Sequence, residues 1–75
     1  MNVYPNPTKD LVTVTNAQGK TLQIIDIQGR LVNAQEITKN YHEISLKSIG
    51  AKGTYILHII DGNGNSIKEN KIILE

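Results

Sequence analysis

The chain has 75 residues, a formal net charge of +1 and no cysteine. This length allows one small domain over residues 1–75, and the absence of cysteine excludes disulfide bonds and cysteine-based metal sites, so an aliphatic core must stabilise the fold. The eight basic residues are scattered, which makes nucleic acid a poor partner, and no apolar run approaches the ~20 residues that a transmembrane segment needs.

The first half of the chain predicts four short strands. Val3 and Tyr4 form a brief edge strand, which ends at Pro5 and Pro7 because two prolines fix φ and exclude a helix. Leu11–Thr15 alternates valine with threonine, as a half-buried strand does. A third strand over 21–27 and a more polar fourth strand over 30–37 follow.

The second half predicts three further strands. The fifth strand covers 41–46, and a loop over 47–52 is anchored by Ile49. The last two strands cover 53–60 and 67–74 and form a hairpin, because the Gly/Asn-rich stretch 61–66 suits a tight connection. We expect 53–60 to be a central strand, since one face is apolar and the other is mixed.

About seven strands with frequent turn signals and no helical window predict an all-β fold, a seven-stranded antiparallel immunoglobulin-like β-sandwich. Tyr55 lies two residues before the core position Leu57, where such sandwiches place a corner tyrosine. The alternative is that Tyr55 is simply a large core residue.

No catalytic or cofactor site is predicted. The stretch that starts at Asp61 begins like a calcium loop, but Ile72 stands where a bidentate glutamate is needed. His42 and His58 have no third ligand nearby, and no serine lies in a nucleophile elbow. We therefore expect neither an enzyme nor a cofactor or metal protein.

Four features occur in a specific order along the chain. They are Val3-Tyr4-Pro5-Asn6-Pro7, then Ile25-Asp26-Ile27-Gln28-Gly29-Arg30-Leu31-Val32, then Gly53-Thr54-Tyr55-Ile56-Leu57, and finally Lys71-Ile72-Ile73-Leu74. Together they resemble the type A C-terminal sorting domain of the type IX secretion system of Bacteroidota. The resemblance spans essentially the whole chain. The family-motif residues are Tyr4, Pro5, Asn6, Pro7, Asp26, Gly29, Arg30, Gly53 and Tyr55.

The resemblance implies that this domain is a sorting signal for a larger cargo protein that lies N-terminal to it. The cargo would pass through the periplasm, cross the outer membrane by the translocon and shuttle of the machinery, and reach the cell surface or the medium. A sortase-like peptidase would then remove the domain, either releasing the cargo or joining it to an anionic lipopolysaccharide. We expect the chain to be a fragment whose cleavage site lies upstream.

Partner recognition is predicted to use the final hairpin, with its side chains at a sheet edge open to a partner strand or groove. The residues are Lys68, Lys71, Ile72, Ile73 and Leu74. The alternative is that Ile72 and Leu74 belong only to the core and that Lys71 is a solvated charge. The segment Tyr4-Pro5-Asn6-Pro7 has two interpretations. It is either a rigid connection from the linker into the sandwich, or it presents the upstream cleavage point to the peptidase.

Two other functions remain open. A fibronectin-like adhesion or carbohydrate-binding module would need exposed aromatic rings, and only Tyr4 and Tyr41 are free for that role. The second function is that of a structural spacer, or of a dimerisation module that forms a weak homodimer through its strand edges.

Overall fold

Seven strands and the turns between them make up the fold. The computed structural model describes residues 1–75. The strands are β1 (Asn2–Tyr4), β2 (Leu11–Thr15), β3 (Thr21–Asp26), β4 (Leu31–Glu36), β5 (Tyr41–Ser45), β6 (Gly53–Ile60) and β7 (Ser66–Leu74). Each begins and ends within about two residues of the predicted bounds, because glycine, proline and asparagine mark the turns.

The strands form two sheets in which every neighbouring pair is antiparallel. One sheet has the order β1-β2-β5 and the other has the order β4-β3-β6-β7. The prediction of an all-β sandwich is confirmed, and β6 is central in its sheet as expected. The finer assignment to the immunoglobulin-like type stays a prediction.

The core lies between the sheets and is aliphatic apart from Tyr55. Strands β3 and β6 supply alternate residues to it, as their period-two pattern predicts. Burying an Ile or Leu side chain of this kind stabilises a fold by about 1.5–3 kcal/mol. The core residues are Val12, Val14, Ala17, Leu22, Ile24, Ile37, Ile44, Leu46, Tyr55, Leu57, Ile59, Ile72 and Leu74.

Burial of β2 differs from the predicted alternation. Val12, Thr13 and Val14 are all buried, although the sequence pattern predicts a half-exposed strand. The register places Thr13 between Tyr4 of β1 and Glu43 of β5 on the same face. Two larger neighbours flank a small side chain there, which explains how a residue on the outer face becomes inaccessible.

Two of the hairpin turns share one design, an aspartate followed three residues later by a glycine. At the β3–β4 turn the Asp26 carboxylate accepts hydrogen bonds from the backbone N–H groups of Gln28 and Arg30, at 2.9 Å each. At the β6–β7 turn Asp61 accepts from Asn63 and Asn65, also at 2.9 Å.

The glycine of each turn has a positive φ, 85° at Gly29 and 82° at Gly64, a region that L side chains rarely adopt. Its N–H donates to the aspartate carbonyl at 3.0 Å in the first turn and 3.1 Å in the second. The calcium-like pattern at Asp61 is therefore a turn, whose carboxylate is occupied by backbone donors.

Tyr55 is buried and its hydroxyl points back along the chain. It donates a hydrogen bond to the carbonyl of Ala51 at 2.5 Å, which is the kind of upstream backbone bond that a corner tyrosine makes. Gly50 lies against the same hydroxyl, so closely that a Cβ at this position would overlap it. The loop before β6 is thus packed around the tip of one ring.

We expect Gly50→Ala to lower the free energy of unfolding by about 1–3 kcal/mol, because the new methyl group overpacks this site. Tyr55→Phe should cost about 1 kcal/mol through the lost hydrogen bond. Since phenylalanine lacks the oxygen that the new Cβ would meet, Gly50→Ala should cost less in the Tyr55→Phe background. Urea unfolding of the four proteins in a double-mutant cycle measures this coupling, and strictly additive effects would contradict the prediction.

Candidate partner-recognition site

The last strand presents its two faces differently. Ile72 and Leu74 point into the core, with 1% and 3% of their surface exposed, whereas Ile73 between them is 45% exposed. Lys71 is also exposed, and Lys68 is half-buried near the start of the strand. Of the five predicted recognition residues, Lys71 and Ile73 therefore lie together on the outer face, while Ile72 and Leu74 support them from inside.

The outer edge of β7 is partly covered by the segment that follows β1. The Asn6 side-chain amide donates to the carbonyl of Lys71, and its oxygen accepts from the N–H of Ile73, each at 3.0 Å. Thr8 then pairs in parallel with the end of β7, donating its N–H to the carbonyl of Ile73 at 2.9 Å and accepting from the N–H of Glu75 at 2.8 Å.

This covering changes which part of the hairpin edge can accept a partner strand. The edge from Lys71 onward, which the sequence predicts to be open, is already hydrogen-bonded within the chain. No such bond reaches the backbone of the first half of β7, residues 66–70. Strand addition is therefore available only at that first half, and a partner at Lys71 and Ile73 must contact side chains.

The sequence did not reveal the role of Asn6. Its motif predicts a rigid lead-in or a presenting segment, and in the structure Tyr4 is exposed while both Tyr4-Pro5 and Asn6-Pro7 bonds are cis. The feature that matters for β7 is the Asn6 amide, whose donor and acceptor match the exposed backbone of an edge strand. An asparagine between two prolines was the available signal.

The Asp26 to Arg30 turn lies at the other edge of the same sheet. Besides its backbone bonds, the Asp26 carboxylate accepts from Nε of Arg30 at 2.9 Å. The backbone N–H of Arg30 contributes most to holding the pKa of Asp26 below its ordinary value of 3.8. The pKa of Asp61 is lowered in the same way, chiefly by the backbone N–H of Asn65.

The remaining motif residues have structural roles. Gly53 begins β6 with a φ of 148°, which favours glycine, and Tyr55 anchors the loop before it. No group of three histidine, cysteine or acidic side chains is arranged to hold a metal ion. No helical segment could span a bilayer.

Comparison with known families decides the assignment. The family model described as "Secretion system C-terminal sorting domain" matches residues 2–75. The chain belongs to this family. The sorting domain therefore is a C-terminal type IX secretion sorting signal, which implies interaction with the secretion machinery and export of an N-terminal cargo to the cell surface or the medium. The family is not a catalytic one. No curated protein and no solved structure matches the chain significantly.

The stability of the sorting domain should fall in acid through its turn aspartates. Because the folded-state pKa of Asp26 is lowered, the unfolded chain takes up the proton first, so the stabilisation is complete above pH 3.8 and is lost as the pH falls through the folded pKa. We expect the difference in free energy of unfolding between the unsubstituted domain and Asp26→Asn to shrink below that pH. Urea unfolding between about pH 6 and pH 2.5 measures it, and a constant difference would contradict the prediction.

Asn6→Ala should loosen the end of β7, because it removes both side-chain bonds to the strand. We expect a loss of about 1 kcal/mol and faster hydrogen exchange at the amide of Ile73, which NMR resolves. Asn2→Ala is the matched control, since Asn2 lies four residues earlier in β1, is exposed, and its side chain makes no hydrogen bond. An unchanged exchange rate at Ile73 in Asn6→Ala would show that the two Asn6 side-chain bonds do not hold the strand.

Proposed function

We propose that the type IX machinery recognises this sorting domain through the outer face of the second half of β7, residues 71–74, with Lys71 and Ile73 at the centre. The observation that carries the proposal is that the apolar side chain of Ile73 is exposed next to the cation of Lys71. The opposite face of the same strand is buried in the core. Recognition through a folded surface suits a domain whose family is not a catalytic one.

Apolar neighbours extend this surface across the sheet. The register aligns Leu31, Ile25 and Ile56 in one row that ends at Lys71. Leu31 is exposed, and Ile25 and Ile56 are half-buried on the outer face. A partly exposed apolar row of this kind is typical of protein interaction surfaces. The sequence indicated it only through the mixed outer face of β6.

The edge geometry determines how a partner binds here. Asn6 and Thr8 occupy the backbone edge beside Lys71 and Ile73, so side-chain contacts carry the recognition. Ile72 and Leu74 act indirectly, because they hold the strand against the core.

The rest of the route follows from the resemblance to the type A sorting domains. The cargo folds in the periplasm, the shuttle and translocon bind the domain at the outer membrane, and a sortase-like peptidase cuts upstream of it. The cargo is then released or joined to an anionic lipopolysaccharide. A weak homodimer through the free strand edges is compatible with the open first half of β7.

One observation favours the alternative of a carbohydrate-binding module. The register places Tyr4 opposite Thr13 and Tyr41 opposite Thr15, so both exposed rings lie on the outer face of the three-stranded sheet. Aromatic rings on a flat sheet face suit stacking against sugars. This face is distinct from the β7 surface, so the two functions can be tested separately.

The deciding experiment fuses the chain to the C-terminus of a periplasm-targeted fluorescent protein in a type IX-competent bacterium and in a secretion-deficient strain. We expect fluorescence at the surface or in the medium of the competent strain only. Retention of an intact, folded fusion in the periplasm of both strains would contradict the sorting function and favour the carbohydrate-binding module.

The same fusion tests the β7 surface with point variants. We expect Ile73→Ser or Lys71→Gln to reduce export about tenfold or more, as loss of a central contact does. Ile67→Ser is the matched control, because Ile67 lies on the same strand and is 44% exposed against 45% for Ile73; Lys39→Gln is the control for charge. Such exposed substitutions usually change stability by no more than about 0.5 kcal/mol. Normal export of Ile73→Ser and Lys71→Gln would exclude this surface.

A further inference from the structure

A cleft of about 710 Å³ opens at the end of the sandwich where β7 finishes. Three segments border it: the stretch between β1 and β2, the loop between β5 and β6, and the end of the chain. Three of the eight basic residues of the protein lie in its wall. The lining residues are Lys9, Lys47, Gly50, Ala51, Lys52, Leu74 and Glu75.

Hydrogen bonds between the three segments hold the walls together. The Asp10 carbonyl accepts from the N–H of Leu46 at 3.0 Å, and the Asp10 carboxylate accepts from the Ser45 hydroxyl at 2.5 Å. These bonds join the segment that carries Lys9 to the loop that carries Lys47, so both lysines line the cleft. The N–H of Glu75 donates to Thr8 at 2.8 Å, which adds the end of β7 as a third wall.

The loop that carries Lys52 is equally fixed. The carbonyl of Leu46 accepts from the N–H groups of Ile49 and Gly50, at 3.0 Å each, and the Tyr55 hydroxyl donates to Ala51. Ile49 packs against the core. The cleft is therefore a formed feature of the fold rather than a gap between loose loops.

The charge of the cleft is unbalanced. Lys9, Lys47 and Lys52 are all exposed, and none lies within 4 Å of a carboxylate, since the only two ion pairs of the molecule are Arg30 with Asp26 and His58 with Glu69. Glu75 is the one acidic residue in the lining. A chain with a net charge of only +1 thus places three ammonium groups around one cavity.

We propose that this cleft binds a phosphate monoester attached to an apolar body. A phosphate monoester carries a charge of about −1.5 to −2 at neutral pH, which suits a cleft where the ammonium groups of three lysines outnumber the carboxylates. The aliphatic stems of the lysines and the exposed Ala51 provide apolar contact for the rest of the ligand, with the buried Leu74 behind them. The volume lies in the range of about 300–1,000 Å³ that small-molecule sites occupy. This binding activity goes beyond the sorting function and does not depend on it.

The test is a titration of the isotope-labelled domain with n-octyl phosphate, followed by amide NMR. We expect saturable shifts at Gly50, Ala51 and Lys52, and an affinity that falls as salt is added, because screening weakens the attraction. Inorganic phosphate, which lacks the apolar body, should bind at least about tenfold more weakly. Equal affinity for both probes, or shifts spread over the whole surface, would overturn the proposal.

Charge-matched variants make the test specific. Lys47→Gln combined with Lys52→Gln should weaken octyl phosphate binding about tenfold or more, because each removes a charged donor. Lys20→Gln combined with Lys39→Gln changes the net charge equally but lies outside the cleft, so it should leave the affinity unchanged. Glu75→Gln should strengthen binding. Equal loss in both double variants would show general charge attraction and overturn the site.

Vesicles distinguish the two sources of such a ligand. Sedimentation of the domain with vesicles that contain phosphatidic acid, and not with phosphatidylcholine vesicles, would place the ligand in a membrane. Binding of octyl phosphate without sedimentation would place it among soluble amphiphiles. Failure of both probes to bind would overturn the proposal while leaving the export assay unaffected.

Discussion

The contact between residues 6–8 and the end of β7 is the constraint on which both proposed binding surfaces depend. It joins parts of the chain that are 65 and 67 residues apart in sequence, through the two side-chain bonds of Asn6. On one side of this contact Lys71 and Ile73 are held in an extended strand. On the other side, the backbone hydrogen bond between Glu75 and Thr8 holds the neighbouring Lys9 in the wall of the cleft at the end of β7. A change at Asn6 therefore reaches the recognition strand directly, and a change at Thr8 would reach the cleft.

Most of the fold was predictable because short strands and turns are local features. Glycine, proline and asparagine mark the turns, and the alternation of β3 and β6 assigns Leu22, Ile24, Leu57 and Ile59 to the core, where they are fully buried. Pairing between distant segments was not predictable. Asn6 looked like part of a lead-in, and burial of Thr13 depends on its neighbours in β1 and β5. A periodic pattern describes the faces of its own strand and carries no information about what crosses its edge.

The same reason limited the prediction of the two sites. The sequence predicted recognition by Lys71, Ile72, Ile73 and Leu74 together. It could not separate the exposed residues from the buried ones, because four adjacent residues of a terminal run alternate in a register that only the partner strand defines. The three lysines of the cleft look like scattered charges in the sequence, since Lys9 lies between β1 and β2 while Lys47 and Lys52 lie on the loop between β5 and β6. Asn70 is a further departure from a simple strand pattern: its side-chain oxygen is buried without a hydrogen-bond partner, which usually costs about 1–3 kcal/mol.

The register of β7 is the property on which the proposed recognition surface depends. A slip of one residue would turn Lys71 and Ile73 into the core and expose Ile72 and Leu74, because successive side chains of a strand point to opposite faces. Two independent devices oppose such a slip. Asp61 fixes the turn at one end of the strand through the N–H groups of Asn63 and Asn65. Asn6 holds the other end, because its amide is bonded to the carbonyl of Lys71 and to the N–H of Ile73, and these bonds must break before the strand can slip. A small domain without disulfide bonds can thus present a defined surface, because both ends of its last strand are held by polar contacts while the middle is held by the core.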